Sequence, residues 1–348
     1  LDPHFGPRAL FGLALGTVIG GALQLGVQLP SLFRAGYRFR PDWDWNDDGV
    51  RAIVRMMGPA IVAASSVQVN VLVNTWFASW LEDGTAYRLN IAFRLMQLPL
   101  GLFGVAVGTV TLPLLSRIAA KGDRSEFGSV LGHGLRLALM LTLPATVGLV
   151  MLARPILSLL YEHGRFDAHA TDQAALALQG YALGLCAYSA LKVLVPAFYA
   201  IDRRRTPMMV SFISIALNAG VNWYFAFVLR LGIRGLALGT GIVAVTNFVL
   251  LYLLMRKETQ MLATRELFSV LTRLALASAA LGVVCWASQT WLLGSWPTLG
   301  LFAQALYLLA TIAVGVAVFL FAATLLGIDE INEVLEALRR KLGRIKAR

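Results

Sequence analysis

The chain is poor in charge and poorer still in acid. Only 14% of its 348 residues are charged, against roughly 25% in an ordinary soluble domain. Asp and Glu together number 19, Lys and Arg 30. The two cysteines, Cys186 and Cys285, both lie in apolar runs, which excludes a disulfide framework and suggests no metal site. The four histidines are scattered and form no HExxH pattern. Paired carboxylates inside apolar runs, a G-x-S-x-G elbow and a phosphate loop are all missing, so nothing resembles an enzyme and no cofactor is implied.

Apolar sequence fills the space. Hydrophobic residues make up 58% and mean hydropathy is +0.70, an excess that needs lipid as solvent. A membrane-spanning helix takes about 20 mostly apolar residues. Nine stretches qualify, at roughly 9–32, 52–81, 88–116, 128–160, 172–200, 207–229, 233–255, 267–292 and 299–326. The expectation is an all-α, polytopic transmembrane bundle. The net charge of +11 sits in short clusters between these runs, which reads as membrane topology and not as a nucleic-acid face.

Basic residues alternate strictly along the chain. Loops after the first, third, fifth, seventh and ninth runs carry 21 of the 30 Lys and Arg residues, and the opposite loops carry six. The positive-inside rule then places the first residue outside and the basic C-terminus in the cytoplasm. Trp291 and Trp296 flank an outer turn, where belt residues belong. The chain opens with Leu1, its first run has no cleavage site, and the span number is odd. A missing N-terminal part is therefore expected.

Prolines 59, 99, 113, 144 and 196 fall within the runs and are expected to kink them. After residue 329, Ile331, Val334, Leu335, Leu338 and Leu342 recur at helical spacing beside Lys and Arg. That pattern predicts an amphipathic helix on the anionic inner leaflet, or a solvated tail.

Ionisable groups inside a bilayer are costly and mark functional candidates. Arg94 lies several residues into the third run, where it either grips a phosphate in a wet cavity or snorkels to the headgroups. Lys192 lies mid-run and faces a cavity or a polar neighbour. Arg136, near the start of its run, reads as snorkelling. Asn70 and Asn74 share one helical face, as do Asn218 and Asn222; Thr240 and Asn247 follow in the seventh run. These amides and hydroxyls form either an ion or polar cavity site or interhelical glue. The glycines at 101, 104 and 108 favour close helix packing.

Residues 92–106 read AFRLMQLPLGLFGVA and residues 109–116 read TVTLPLLS. This strongly resembles the MurJ (MviN) family of lipid II flippases in the MOP transporter superfamily. MGP at 57–59, KVLVPAFY at 192–199 with RTP at 205–207, and GLAL at 235–238 match in order. The resemblance implies fourteen spans in two six-helix lobes plus a final pair, of which this chain looks like spans six to fourteen. Residues 1–45 would hold the last helix of the first lobe and a cytoplasmic linker, 46–258 the second lobe, and 259–348 the final pair and basic tail. It also implies that lipid II, the polyprenyl-pyrophosphate-linked disaccharide-peptide, crosses the bacterial inner membrane by alternating access. The chain would act as a monomer, with Arg94 as a cavity arginine on the pyrophosphate. Two departures stand out. Many members carry Asp before this arginine, where this chain has Phe93, and sodium-coupled members carry acids among the positions of Asn74, Asn218, Asn222 and Thr240. Another MOP-type exporter, of polysaccharide-lipid or drugs, is the rival reading; a polyprenyl-phosphate enzyme would need more than His163 and Asp167.

Overall fold

The computed structural model describes residues 8–36, 47–259, 264–291, 299–328 and 330–331. Trp296 and the tail beyond Ile331 lie outside these. The chain divides into two compact units, Leu1–Met56 and Met57–Arg348.

In the first unit, α1 spans Arg8–Arg34, with Arg34 in its last turn where a cation suits the helix dipole. Phe11, Val18 and Val27 stand largely exposed, as side chains facing hydrocarbon do. The Asp47 carboxylate accepts from the Val50 amide at 3.0 Å and so caps the start of α2 (Asp48–Ala78).

In the second unit, α2 is followed by α3 (Thr85–Pro99), which passes through a π-helical turn at Leu100–Val105 into α4 (Ala106–Lys121). Next come α5 (Arg124–Tyr161), α6 (Ala168–Leu183) and α7 (Leu185–Ala200). Then follow α8 (Arg205–Trp223) with a π turn at Tyr224–Val228, α9 (Gly232–Thr259), α10 (Thr264–Trp291) and α11 (Leu301–Leu325). The described residues are helix and turn throughout, so the all-α expectation holds. Each of the nine apolar runs falls on a helical rod. Among the described residues seven helices are long and apolar enough to cross a membrane, and the bent α6–α7 pair, taken as one span, makes an eighth.

Three buried clusters hold the second unit together. Phe77, Met96, Leu157, Leu178 and Leu236 join α2, α3, α5, α6 and α9. Leu115, Leu131, Leu194, Phe198 and Met255 join α4, α5, α7 and α9. Leu139, Leu274, Leu281 and Phe319 bind α10 and α11 to α5. Asp123 caps α5 by accepting from Ser125 and Glu126 amides at 3.0 and 2.9 Å, and Asp167 caps α6 through Ala170 at 2.8 Å.

The kinks fall only partly where proline predicts them. Pro99 is followed directly by the π turn, which accommodates its missing N–H. Pro113 and Pro196 lie inside α4 and α7 without interrupting them. In α5 the departure from helical geometry is at Leu152, three residues before Pro155, and not at Pro144. A bend of 42° separates α6 from α7 at Gly184. A Cβ on Gly184 would lie 2.9 Å from the Cα of Gly241, so this break is also where α6 and α9 touch backbone to backbone.

Candidate functional site

Six helices of the second unit, α2, α3, α6, α7, α8 and α9, surround a cavity of 470 Å³. Of the seven residues singled out from sequence as site candidates, five line it: Asn70, Asn74, Lys192, Asn218 and Thr240. Their spacing explains this. Asn70 and Asn74 stand one turn apart on α2, and Ser214 and Asn218 one turn apart on α8, so each helix turns one polar strip inward. The remaining two, Asn222 and Arg94, do not line the cavity, yet each bonds to a residue that does.

Asn222 closes a neutral knot. Its amide nitrogen donates to Asn74 Oδ1 at 2.6 Å and to Asn218 Oδ1 at 3.0 Å. The Asn74 amide nitrogen donates to Thr240 Oγ1 at 3.1 Å, and Thr240 donates to the Leu236 carbonyl. The knot therefore ties α2 to α8 and α9. Gly239 permits it, since a Cβ there would sit 2.6 Å from Asn222 Oδ1.

Arg94 stands exposed on α3, and its Nε donates to Asn90 Oδ1 at 2.8 Å. Asn90 lines the cavity. Holding Nε in this way leaves the two terminal nitrogens of the guanidinium fork for an incoming group. Among the described residues Lys192 is the single charged side chain in the lining, and no carboxylate contributes to it. Its position is set by a close approach of α4 to α7, because a Cβ on Gly108 would lie 2.6 Å from the Lys192 carbonyl oxygen.

Sequence reasoning missed part of this wall. Asn90, Tyr181, Tyr188, Tyr199 and Ser211 line the cavity beside the expected residues. The Tyr181 ring meets Phe93 edge-on, centroids 5.4 Å apart. Asn70 and Asn247 each keep a buried amide oxygen without a partner. The i, i+4 step from Asn90 to Arg94 was the available signal for Asn90.

Arg136 departs from its expected snorkelling role. Its Nε donates to Glu330 at 2.5 Å and its Nη1 to Glu266 at 3.4 Å, which joins α5 to the start of α10 and to the segment after α11. Arg273 donates to the Gly327 carbonyl at 3.2 Å close by. Near the start of α3, Glu82 pairs with Arg88 at 3.1 Å and with His169 of α6 at 3.3 Å. The Arg88 hydrogen bond, the larger influence, and the nearby charges of Arg88 and His169 hold the Glu82 carboxyl below its ordinary range.

Long broken rods around a polar cavity define a polytopic α-helical membrane bundle. Solved structures agree. A multidrug resistance MATE family transporter of the MOP superfamily, outward-facing, superposes with a TM-score of 0.51 over 78% of this chain and 63% of that one, at 19% identity, a likeness of fold alone. A lipid II flippase MurJ, inward closed, reaches 0.68 over 89% of this chain and 60% of that one, at 25% identity. The family model described as lipid II flippase MurJ matches residues 1–307, and the chain belongs to that family. A probable lipid II flippase MurJ of Vibrio cholerae is 36% identical over 322 residues, covering 91% of this chain and 60% of the relative. The lipid II flippase MurJ of Burkholderia cenocepacia is 35% identical over 253 residues, 72% of this chain and 49% of the relative. The chain thus spans less than two thirds of the length of these relatives. It is a multi-pass inner-membrane protein, and the family description names a transporter, not an enzyme.

Proposed function

We propose that this chain serves to move lipid II from the inner to the outer leaflet by alternating access. A pyrophosphate and sugar-peptide head must cross about 30 Å of hydrocarbon. A polar cavity with cations at hand replaces its hydration while the polyprenyl tail stays in lipid. Arg94 grips the pyrophosphate with its fork, and Lys192 is the second cation offered to the substrate. Residues 46–258 act as one six-helix lobe, residues 1–45 supply the last helix of the other lobe and its linker, and 259–348 supply the final helix pair and tail. The first residue faces the periplasm, the last faces the cytoplasm, and the protein works as a monomer. The neutral site at Asn70, Asn74, Asn218, Asn222 and Thr240 serves as polar wall and helix tie. With no carboxylate among them, these residues do not make a tight cation site.

The observation that carries this reading is the pairing of a fork-exposed arginine, Arg94, with an acid-free cavity containing Lys192, in a chain of this family. The test replaces Arg94 by Ala, and separately by Lys, in the intact gene product, in cells depleted of their own flippase. Lipid II accessible at the outer face is then measured. Loss with Ala at normal protein levels, and incomplete rescue by Lys, is expected from a fork–phosphate contact worth roughly 1.5–3 kcal/mol. Unchanged flipping by the Ala variant makes Arg94 an anchor in the headgroups and refutes the assignment.

A further inference from the structure

The lining of the cavity is unbalanced in a way that selects a ligand. Among the described residues it holds one cation, Lys192, and no acid. Among the described residues no carboxylate pairs with Lys192. Around it stand amides (Asn70, Asn90, Asn247) and the phenols of Tyr181, Tyr188 and Tyr199. Each amide is both donor and acceptor, each phenol likewise. A hydrocarbon group filling this space would strand these groups, at a cost of about 1–3 kcal/mol each. A cation would meet Lys192 with no countercharge. A pyrophosphate brings more than one negative charge to a single ammonium. It is better matched by the planar fork of Arg94, which stands outside the cavity and reaches it only through Asn90. What the lining fits is a group with one negative charge, many hydroxyls or amides, and a face to lay on aromatic rings. The volume of 470 Å³ falls within the range of small-ligand sites, roughly 300–1,000 Å³.

We propose that the Lys192 cavity is a headgroup pocket for a carboxylate-bearing sugar-peptide, with Lys192 on a peptide carboxylate and Arg94 on the phosphates at the rim. This rests on the reading that the substrate is a lipid-linked sugar-peptide. The two cations then have separate tasks. Arg94 recognises the carrier linkage common to every lipid-linked precursor, and Lys192 discriminates between heads. Asn90 joins the two, as it orients Arg94 on one side and faces the pocket on the other. Tyr181 and Tyr188 supply ring faces and hydroxyls for sugar or amide groups.

The test compares binding of two synthetic lipid-linked disaccharide-peptides to the intact gene product in nanodiscs. One probe has free peptide carboxylates; in the other they are amidated. The wild type is expected to prefer the free-carboxylate probe about tenfold, the value of one charge-assisted hydrogen bond. Lys192→Met is expected to bind both probes at the amidated level, and Lys192→Arg to keep the preference. Arg94→Ala is expected to weaken both probes by the same factor and leave the preference intact. Equal binding of the two probes by the wild type overturns the pocket assignment without any variant having to fold. So does a preference that survives in Lys192→Met. In both cases lipid-linked substrate still binds, so the transport reading stands. A wild type that binds neither probe overturns both.

Discussion

Replacing Arg136 with Met removes the cation that meets the Glu330 carboxylate. The Glu330 side chain is 5% exposed and the Arg136 side chain 18%, whereas Glu266, the other partner, is 69% exposed. Breaking a buried pair from one side costs roughly 3–5 kcal/mol, because the remaining charge stays desolvated. An exposed partner is worth only about 0–1 kcal/mol. The three single variants should therefore rank in a fixed order. Arg136→Met is worst, Glu330→Ala intermediate because Arg136 keeps Glu266, and Glu266→Gln nearly silent. At roughly 2–4 °C per kcal/mol for a chain of 150–250 residues, and less for a longer one, the melting shift of Arg136→Met is about 5–10 °C. Thermal unfolding in detergent measures it. The double variant Arg136→Met with Glu330→Gln should recover most of the loss, since no buried charge is left without a partner. Ile328 and Ile331, both buried beside Glu330, would hold the segment in place in that variant. A Glu266→Gln variant as damaged as Arg136→Met, or a double variant no better than the single, refutes the reasoning.

Two further expectations follow from other close contacts. Gly108→Ala should cost about 1–3 kcal/mol, because its Cβ would meet a backbone oxygen that cannot swing aside. Gly101→Ala, with nothing within 4 Å, should be neutral or stabilising; thermal melts of the two variants side by side decide it. Because the folded Glu82 carboxyl is held below its ordinary range, its tie to Arg88 is fully present above the ordinary carboxylate pKa. The tie is lost as pH falls through the lowered value. Hydrogen exchange at the α2–α3 turn should therefore rise only in that acid window, and Glu82→Gln should abolish the pH dependence.

The rods were legible because an apolar run of twenty or more residues has few other uses. The clustering of Asn74, Asn218 and Thr240 was legible for a related reason: polar side chains one turn apart on an apolar helix have to face inward together. Asn222 was legible as a member of that set, though it sits behind the wall and not on it. Other features were hidden by their physics. Tyr181 and Tyr188 look like core aromatics until a cavity opens beside them. Arg136 looked like a snorkelling residue because its partner Glu330 is 194 positions away, and depth in a helix says nothing of what packs there. The break in α5 fell at Leu152 because a proline perturbs the turn before it, and Pro144 found a neighbourhood that kept its helix regular.

Uncharged amides make a joint that neither salt nor acid can tune. Ionic strength screens charges over about 8 Å under physiological conditions, yet a dipole-to-dipole contact at 2.6–3.1 Å has no net charge to screen. None of Asn74, Asn218, Asn222 and Thr240 titrates. A helix pinned by such a joint feels the same restoring force whichever solution wets it, concentrated or dilute, neutral or sour. Only a change in shape can undo it, so the hold on α2 is set by geometry and not by the solution around it.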